Sequence, residues 1–353
     1  MKSANIRIFV FSWKVYFANG RGKLANQMRH EEVLEAFVDI RQEFDKIRKE
    51  YGDWTAHYIR LPGDINTMEQ VNENHLLYLY RIAQIVKDIL GDSLMGKRIL
   101  DLGCLEGGFA VEFALNNSDV VAVEGRKRNL AKLGFVSTAL QLSNIRTVLS
   151  DVRNISAGEY GKFDCVLCLG LLYHLDKESL GEFLKSLYEL TSRLLVIDTH
   201  ISLYGGEQIE IDGMPYTGAT YIEHTETETL SEIETKNWSS LDNRNSFFFT
   251  MPSLLNLLQH VGFTSVYICE MPYYNIMTDR RTIVAIKGQA HRLASVGQGT
   301  LRAEYPEKSD FSVIRPVNEM LTNEVSATSE PGSPSIRYIF RLFLKWIRQF
   351  VRR

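Results

Sequence analysis

The stretch from Arg98 to Arg126, RILDLGCLEGGFAVEFALNNSDVVAVEGR, limits what this chain can fold into more than any other. Arg98-Ile99-Leu100-Asp101-Leu102 is a short apolar run of β-favouring residues that ends at a glycine, which predicts a buried strand. Gly103, Gly107 and Gly108 predict a turn, and Phe109 to Leu115 carry apolar side chains at helical spacing. Val120-Val121-Ala122-Val123 predicts a second strand that closes on Glu124. Strand, glycine loop, helix, strand and an acid about 20 residues past the loop is what a nucleotide-type site on a βαβ unit requires. The glycines let a ligand approach the backbone, and a carboxylate at the second strand tip can accept both hydroxyls of a ribose.

The spacing departs from the dinucleotide fingerprint. That pattern needs G-x-G-x-x-G at the turn, and position 105 here is leucine. Instead Asp101 stands two residues before the first glycine, as D-x-G-x-x-x-G-G. An acid there faces whatever crosses the loop and suits a positively charged ligand better than a pyrophosphate. These residues resemble motif I and the acidic second-strand end of class I S-adenosylmethionine-dependent methyltransferases. The usual loop of that family is D-x-G-x-G-x-G, so Leu105 is a departure.

The rest of the core alternates as the resemblance implies. Arg126 to Leu142 reads as a helix, Ile145 to Leu149 and Phe163 to Leu169 as strands, and Asp176 to Leu190 as a helix with Asp176 at its cap. Leu194 to Ile197 reads as a strand and Met251 to Val261 as a helix with Pro252 near its start. Phe263 to Cys269 and Thr282 to Ile286 read as the last two strands. The expected fold is α/β: a seven-stranded, mostly parallel, doubly wound sheet of the Rossmann-like methyltransferase kind, its last strand antiparallel. The resemblance covers about residues 55 to 287.

Residues 1–66 are expected to form an N-terminal extension and 67–288 the core. Residues 1–25 mix apolar and basic residues too short and too charged to span a membrane, and lack a signal-peptide cleavage pattern. His30 to Tyr51 predicts an amphipathic helix, with Val33, Phe37, Ile40, Phe44 and Ile47 on one stripe. Trp54 to Asn66 predicts a strand and a Pro-Gly-Asp turn, and Met68 to Leu90 a helix with Tyr78, Ile82, Ile85 and Ile89 along one side. Ser202 to Thr250 is far longer than an ordinary connection and rich in aromatic residues, which predicts a cap over the substrate. Residues 289–335, rich in Ser, Gly, Pro and Thr, predict a flexible linker.

The chain ends in IRYIFRLFLKWIRQFVRR, where Arg337, Arg341, Lys345, Arg348 and Arg352 fall three or four apart. A basic stripe on an otherwise apolar helix at 336–353 predicts contact with an anionic membrane surface, the alternative being docking on protein. A formal net charge of -3 gives no global attraction to nucleic acid. The one dense basic cluster in the core, Arg126, Lys127, Arg128 and Lys132, reads as the solvated face of a helix. Four cysteines predict a reducing, cytoplasmic setting, with attachment at the inner face of a membrane through the terminal helix. Cys165 and Cys168 form C-x-x-C inside a strand, which sends the two thiols to opposite faces and predicts core residues and no metal.

Ligands of open α/β sheets bind outside the carboxyl ends of the strands. The methyltransferase resemblance therefore implies S-adenosylmethionine as cofactor, with Gly103 and Gly107 packed on it and Glu124 on the ribose. It places Asp151 at the adenine amino group, Leu169 and Gly170 along the methionine, and Asp101, Cys104, Gly125 and Val152 around them. The alternative for Asp151 is a helix cap. The fourth strand runs into GLLYHL, similar to G-x-L-Y-H in the tRNA wobble-uridine carboxymethyl transferases and their small-molecule relatives. HYIRLPGDIN before the core is similar to the same group. Tyr173 and His174 are then the catalytic candidates, with His200 a second one and Asp198-x-His200 a weak metal pair. From the cap, Tyr216, Tyr221, Trp238 and Asn243 are expected to meet the substrate.

Direct displacement at a sulfonium needs alignment and exclusion of water, and a base only where the acceptor is protonated. The resulting expectation is O- or N-methylation of a small-molecule or glycan- or lipid-linked acceptor. The alternatives are a tRNA-modifying methyl or carboxymethyl transferase and a membrane-tethered scaffold that binds the cofactor without turnover. Oligomeric state is left open.

Overall fold

The computed structural model describes residues 30–269 and 279–289. Residues 1–25, the 289–335 linker and the basic helix at 336–353 lie outside these, save Gln289 itself.

Helix α1 (His30–Tyr51) leads into a short antiparallel pair, β1 (Arg60–Leu61) and β2 (Ile65–Asn66), and then helix α2 (Glu73–Leu90). Helix α2 starts later than the sequence suggests, because Asn72 caps it: its side chain accepts from His75 N. Met68 to Val71 precede the helix.

The core sheet is built from β3 (Arg98–Leu102), β4 (Asp119–Glu124), β5 (Ile145–Leu149), β6 (Phe163–Leu169), β7 (Thr191–His200), β11 (Ser265–Cys269) and β12 (Arg280–Ile286). Its order is β11-β12-β7-β6-β3-β4-β5. β3, β4, β5, β6 and β7 pair in parallel, while β12 runs antiparallel to both neighbours. This is the expected seven-stranded doubly wound α/β sheet, and its order reverses between β3 and β6. A ligand crevice belongs at that reversal, above Gly103 and Gly170.

Alternation along the buried strands sorts the core into two layers. Ile99, Val120, Ala122, Cys165 and Leu167 face α1, α2, α3 (Gly108–Leu115) and α4 (Lys127–Ala139). Leu100, Val121, Val166, Cys168 and Ile197 face α6 (Leu180–Leu190) and α8 (Met251–His260). Cys165 and Cys168 thus lie on opposite faces as unpaired, fully buried thiols. A short helix α5 (Ala157–Tyr160) lies between β5 and β6.

The insertion after β7 folds as β8 (Glu207–Ile211), β9 (Met214–Ile222), α7 (Leu230–Thr235) and β10 (Asn245–Phe249), with a sheet in the order β10-β9-β8. It is tied to the core at Phe247, whose N–H donates to Leu175 O at 3.0 Å, and at Thr217, whose N–H donates to Ser253 Oγ at 2.6 Å. From the far end of β9 the chain returns across the strand tips as residues 223–244.

Candidate functional site

The floor of the crevice is the turn after β3. Gly103 holds φ +65° and lines the crevice, as do Cys104 and Leu105. Leu105 stands where the familiar loop has glycine, and it adopts φ +48°, the left-handed conformation glycine takes without strain. Its N–H donates to Glu124 Oε2 at 2.9 Å, and Arg126 N–H donates to Oε1 at 2.8 Å. Glu124 is thereby aimed from the β4 tip with a lone pair left on each oxygen. Burial lifts its carboxyl above the ordinary range, against the pull of those N–H groups and of Arg126.

Asp101 sits at 2% exposure with Oδ2 unpartnered. Burial pushes its carboxyl up to about 7, with the charge of Glu124 adding to the shift. A buried acid with an unmet oxygen lining the crevice fits a cationic group of a ligand and no pyrophosphate. Cys104 is buried and its thiol lies well above its usual range, so it packs against the ligand space and is no nucleophile.

Gly107 does not face the ligand, which corrects its sequence assignment. It takes φ +83° at the start of α3, and a Cβ there would meet Leu133 Cδ1 of α4 at 2.3 Å. Its role is helix packing. Gly125 lines the crevice under the side chain of Leu241, whose Cδ1 would lie 2.3 Å from an added Cβ.

Asp151 and Val152 line the crevice at the β5 end. Asp151 also serves as the cap expected of it, accepting from Arg153 N at 2.8 Å, and it pairs with the Arg153 guanidinium. Arg153 further binds Asp176 at 3.1 Å and Asp242 at 2.7 Å, so three acids share one cation. Asp176 caps the turn at Ser179, whose N–H it accepts at 2.8 Å, and α6 begins only at Leu180.

Of the basic cluster at the start of α4, Lys127 is exposed as expected, but Arg126, Arg128 and Lys132 are not a solvated face. Arg126 is buried and donates from Nη2 to the carbonyls of Ser239 and Ser240, both at 3.0 Å. Arg128 donates to Thr235 O and to Asn237 Oδ1, each at 2.6 Å. Lys132, 1% exposed, donates to Asp53 O at 2.6 Å and to Glu106 at 3.0 Å. Arg126, Arg128 and Lys132 thus clamp the 235–240 strap and the N-terminal segment onto the Glu124 side of the crevice.

Glu106 also accepts from the N–H groups of Thr55, Ala56 and His57, at 2.8, 3.0 and 3.3 Å. That anchor delivers His57 to the crevice wall, where its Nδ1 accepts from Gly108 N at 3.1 Å. Burial drives the ring down to about 3, so it is neutral and its Nε2 carries the proton. The sequence boundary at 66 falls at the end of β2, within this packed segment.

At the opposite end, Leu169 and Gly170 line the crevice at the β6 tip, followed by a 3₁₀ turn, Leu172–His174. Tyr173 and His174 both line the site. His174 Nδ1 lies 2.6 Å from Glu223 Oε1 at the cap end of β9, with the two side chains 13% and 4% exposed. Burial is the largest single influence on Glu223 and opposes its ionisation, but the bond to His174, the charge of that ring and hydrogen bonds from Ser246 and Ser240 together hold the carboxyl below its ordinary range.

His200 is not a lining residue. Its Nδ1 meets Asp279 at 2.9 Å, and its ring lies edge-on to Tyr173 and stacked on Phe248. Asp198 is 2% exposed and binds Arg280 Nε at 2.5 Å and Thr282 Oγ1 at 2.8 Å, so it is not half of a metal pair. Among the described residues no three His, Cys, Asp or Glu side chains gather as a metal cluster.

Of the cap residues, Trp238 and Asn243 line the crevice. Tyr216 is buried in the core, its hydroxyl 2.5 Å from His260 Nδ1, and cannot meet a substrate. Tyr221 stacks on Phe248 at 5.1 Å, one ring behind Tyr173, with 53% of its surface exposed. Sequence reasoning missed His57, His75, Tyr78, Glu223 and Arg280. His57 opens the HYIRLPGDIN stretch, which by itself marks no site residue, the other four lie in no quoted motif, and His57, His75 and Tyr78 come from segments that precede the sheet.

A family described as methyltransferase domain matches residues 74–268. The ubiquinone biosynthesis O-methyltransferase of Vibrio parahaemolyticus is 28% identical over 129 residues, 36% of this chain and 50% of that enzyme. Its counterpart in Aliivibrio fischeri is 26% identical over the same length and shares. The chain thus spans about half the length of the curated relatives it matches. The crystal structure of the N-terminal domain of EvdMO1, determined with S-adenosylhomocysteine and D-fucose, is 23% identical with a TM-score of 0.55. That likeness covers 71% of this chain and 97% of the other.

Proposed function

This chain belongs to the methyltransferase-domain family, and from that premise we propose that it moves a methyl group from S-adenosylmethionine to a hydroxyl of a small-molecule acceptor. The observation that carries the reading is the pairing of two site halves across the β3/β6 reversal. Glu124, Asp151 and the unmet Asp101 oxygen stand on one side, and the His174–Glu223 dyad stands on the other.

S-adenosylmethionine supplies an electrophilic methyl carbon and a sulfur leaving group. Glu124, already held by two N–H donors, accepts the ribose hydroxyls with its remaining lone pairs. Asp101 ionises against the positive charge, which a buried neutral carboxyl would otherwise not favour. Glu223 fixes the His174 ring by accepting from Nδ1, which leaves Nε2 as the acceptor nitrogen. His174 Nε2 would take the proton of an acceptor hydroxyl held in line with the methyl group that S-adenosylmethionine supplies when bound. The strap from Asn237 to Asn243, held by Arg126, Arg128 and Arg153, covers the crevice and excludes water.

This reading makes the protein a small-molecule O-methyltransferase. The basic residues of 336–353 support a further contact with an anionic membrane surface. Among the described residues no helix is long and apolar enough to cross a membrane. The test is release of S-adenosylhomocysteine from S-adenosylmethionine in the presence of phenolic and sugar acceptors. Acceptor-dependent release that falls with His174→Ala supports the reading. Release that ignores His174, or transfer only to tRNA, contradicts it.

A further inference from the structure

One cation in the crevice has no part in the transfer described above. Arg280 opens β12, pairs in register with His200 of β7, and brings its guanidinium to the rim above the β6 tip. An added Cβ on Gly170 would lie 3.3 Å from Arg280 Nη2 and 3.8 Å from the Tyr173 hydroxyl, so these two polar groups converge over the same glycine. The Nε edge of the guanidinium is fixed to Oδ1 of the buried Asp198, whose other oxygen takes the Thr282 hydroxyl. Among the described residues Asp198 is the sole carboxylate within ion-pair distance of Arg280.

A buried ion pair is an expensive way to hold two strands together, and an apolar pair of similar volume would serve as well or better. The geometry explains why a cation is kept. Asp198 occupies one edge of the planar fork and orients it, and the terminal nitrogens remain at the crevice, where the side chain is 34% exposed. The other two arginines of the crevice stand elsewhere: Arg126 is beside Glu124, its Nη2 on two carbonyls and its Nε unpartnered, and Arg153 binds three acids. Arg280 is also on the acceptor side. It lies beyond β6, away from the β4 and β5 tips that carry Glu124 and Asp151, with its guanidinium 6.0 Å from the centroid of the Tyr173 ring.

We propose that the acceptor is an acid, whose carboxylate docks on the terminal nitrogens of Arg280 beside the Tyr173 hydroxyl while the hydroxyl to be methylated meets His174. A monoanionic, planar carboxylate matches one partly neutralised guanidinium, whose terminal edge, engaged with the Tyr173 hydroxyl, has no carboxylate partner among the described residues. This inference rests on the methyltransferase reading of the same crevice and adds a substrate class to it.

The test uses the full chain loaded with S-adenosylhomocysteine, titrated with 4-hydroxybenzoate and with its uncharged isostere 4-hydroxybenzamide. The acid is expected to bind at least about tenfold more tightly than the amide, the scale of one charge-assisted bidentate contact. Arg280→Gln is expected to erase that preference. Because this change strands Asp198, the paired variant Arg280→Gln with Asp198→Asn is measured beside it and is expected to behave the same. Equal binding of acid and amide to the unaltered protein overturns the proposal, as does a preference that survives in either variant. Loss of S-adenosylhomocysteine affinity in Arg280→Gln, with affinity for the decarboxylated compound unchanged, would assign the guanidinium to the cofactor and also overturn it. If the unaltered protein fails to bind S-adenosylhomocysteine at all, the methyltransferase reading itself falls, which is a separate result.

Discussion

His174 and Glu223 stand 49 residues apart in the chain, yet their Nδ1 and Oε1 atoms lie 2.6 Å apart at the tip of β6. One comes from the core and the other from the cap, so under the proposed function the cap would contribute to the chemistry as well as cover it. An imidazole whose tautomer is fixed by a carboxylate is a more effective base than a free one. His174→Ala is expected to lower kcat by about 10²-fold or more, within the range for a general base, with cofactor affinity nearly unchanged. Glu223→Gln should cost less and should act on kcat more than on KM. Steady-state rates with a competent acceptor check both, and an unchanged rate in His174→Ala would remove it from the mechanism.

Asp101 gives a signature in pH. Its carboxyl lies at about 7 because burial favours the neutral form. Raised above its unfolded value, it binds more protons when folded than when unfolded between pH about 4 and 7, so it lowers stability as pH rises through that window. A ligand cation reverses the preference. Binding of S-adenosylmethionine at pH 6 is therefore expected to release up to one proton, read as a calorimetric heat that depends on the buffer's ionisation enthalpy. Asp101→Asn should abolish that dependence. A release unaffected by the substitution would show that another group is responsible.

Gly107 tests the correction to its role. Its positive φ and the 2.3 Å approach of Leu133 make Gly107→Ala a packing and backbone lesion, not a ligand lesion. The variant should lose about 1–3 kcal/mol of stability in denaturant titration. Cofactor affinity of the folded fraction should change little; a large loss of affinity at unchanged stability would return Gly107 to the binding surface.

The C-terminal stripe gives a prediction independent of the crevice. The full chain should float with anionic liposomes at low salt, and deletion of 336–353 should release it without abolishing turnover of a soluble acceptor. Failure of the full chain to float removes the membrane contact.

The parts of the site legible in the sequence are those encoded within one βαβ unit. Asp101, Gly103 and Glu124 are set by local spacing, because strand register and turn length alone fix where their side chains emerge. The placement of Cys165 and Cys168 on opposite faces follows from the same two-residue period. Gly107 escapes such reasoning because whether a turn glycine faces ligand or helix depends on Leu133, a residue of the next helix. Tyr216 escapes it because an aromatic residue in an insertion can pack inward, and only its bond to His260 shows that it does. Glu223 and Arg280 carry no local signature, and His57 opens HYIRLPGDIN, a stretch that does not by itself say which side chain turns to the site. Each is brought to the site through a long-range tie, Glu223 to His174, His57 to the Glu106 loop and Arg280 to Asp198. The arginines and lysine of α4 look like surface in the sequence because helical spacing cannot reveal that the strap and residues 53–57 cover them.

The most direct test of the account is calorimetric titration of the full chain with S-adenosylmethionine, S-adenosylhomocysteine and the carboxylated analogue of S-adenosylmethionine, repeated on Glu124→Ala. The account predicts one site for the first two compounds, weaker binding of the carboxylated form, and a loss of about 1–3 kcal/mol in the variant, the scale of hydrogen bonds to a charged group. Absence of binding heat, preference for the carboxylated compound, or equal affinity in Glu124→Ala would contradict it.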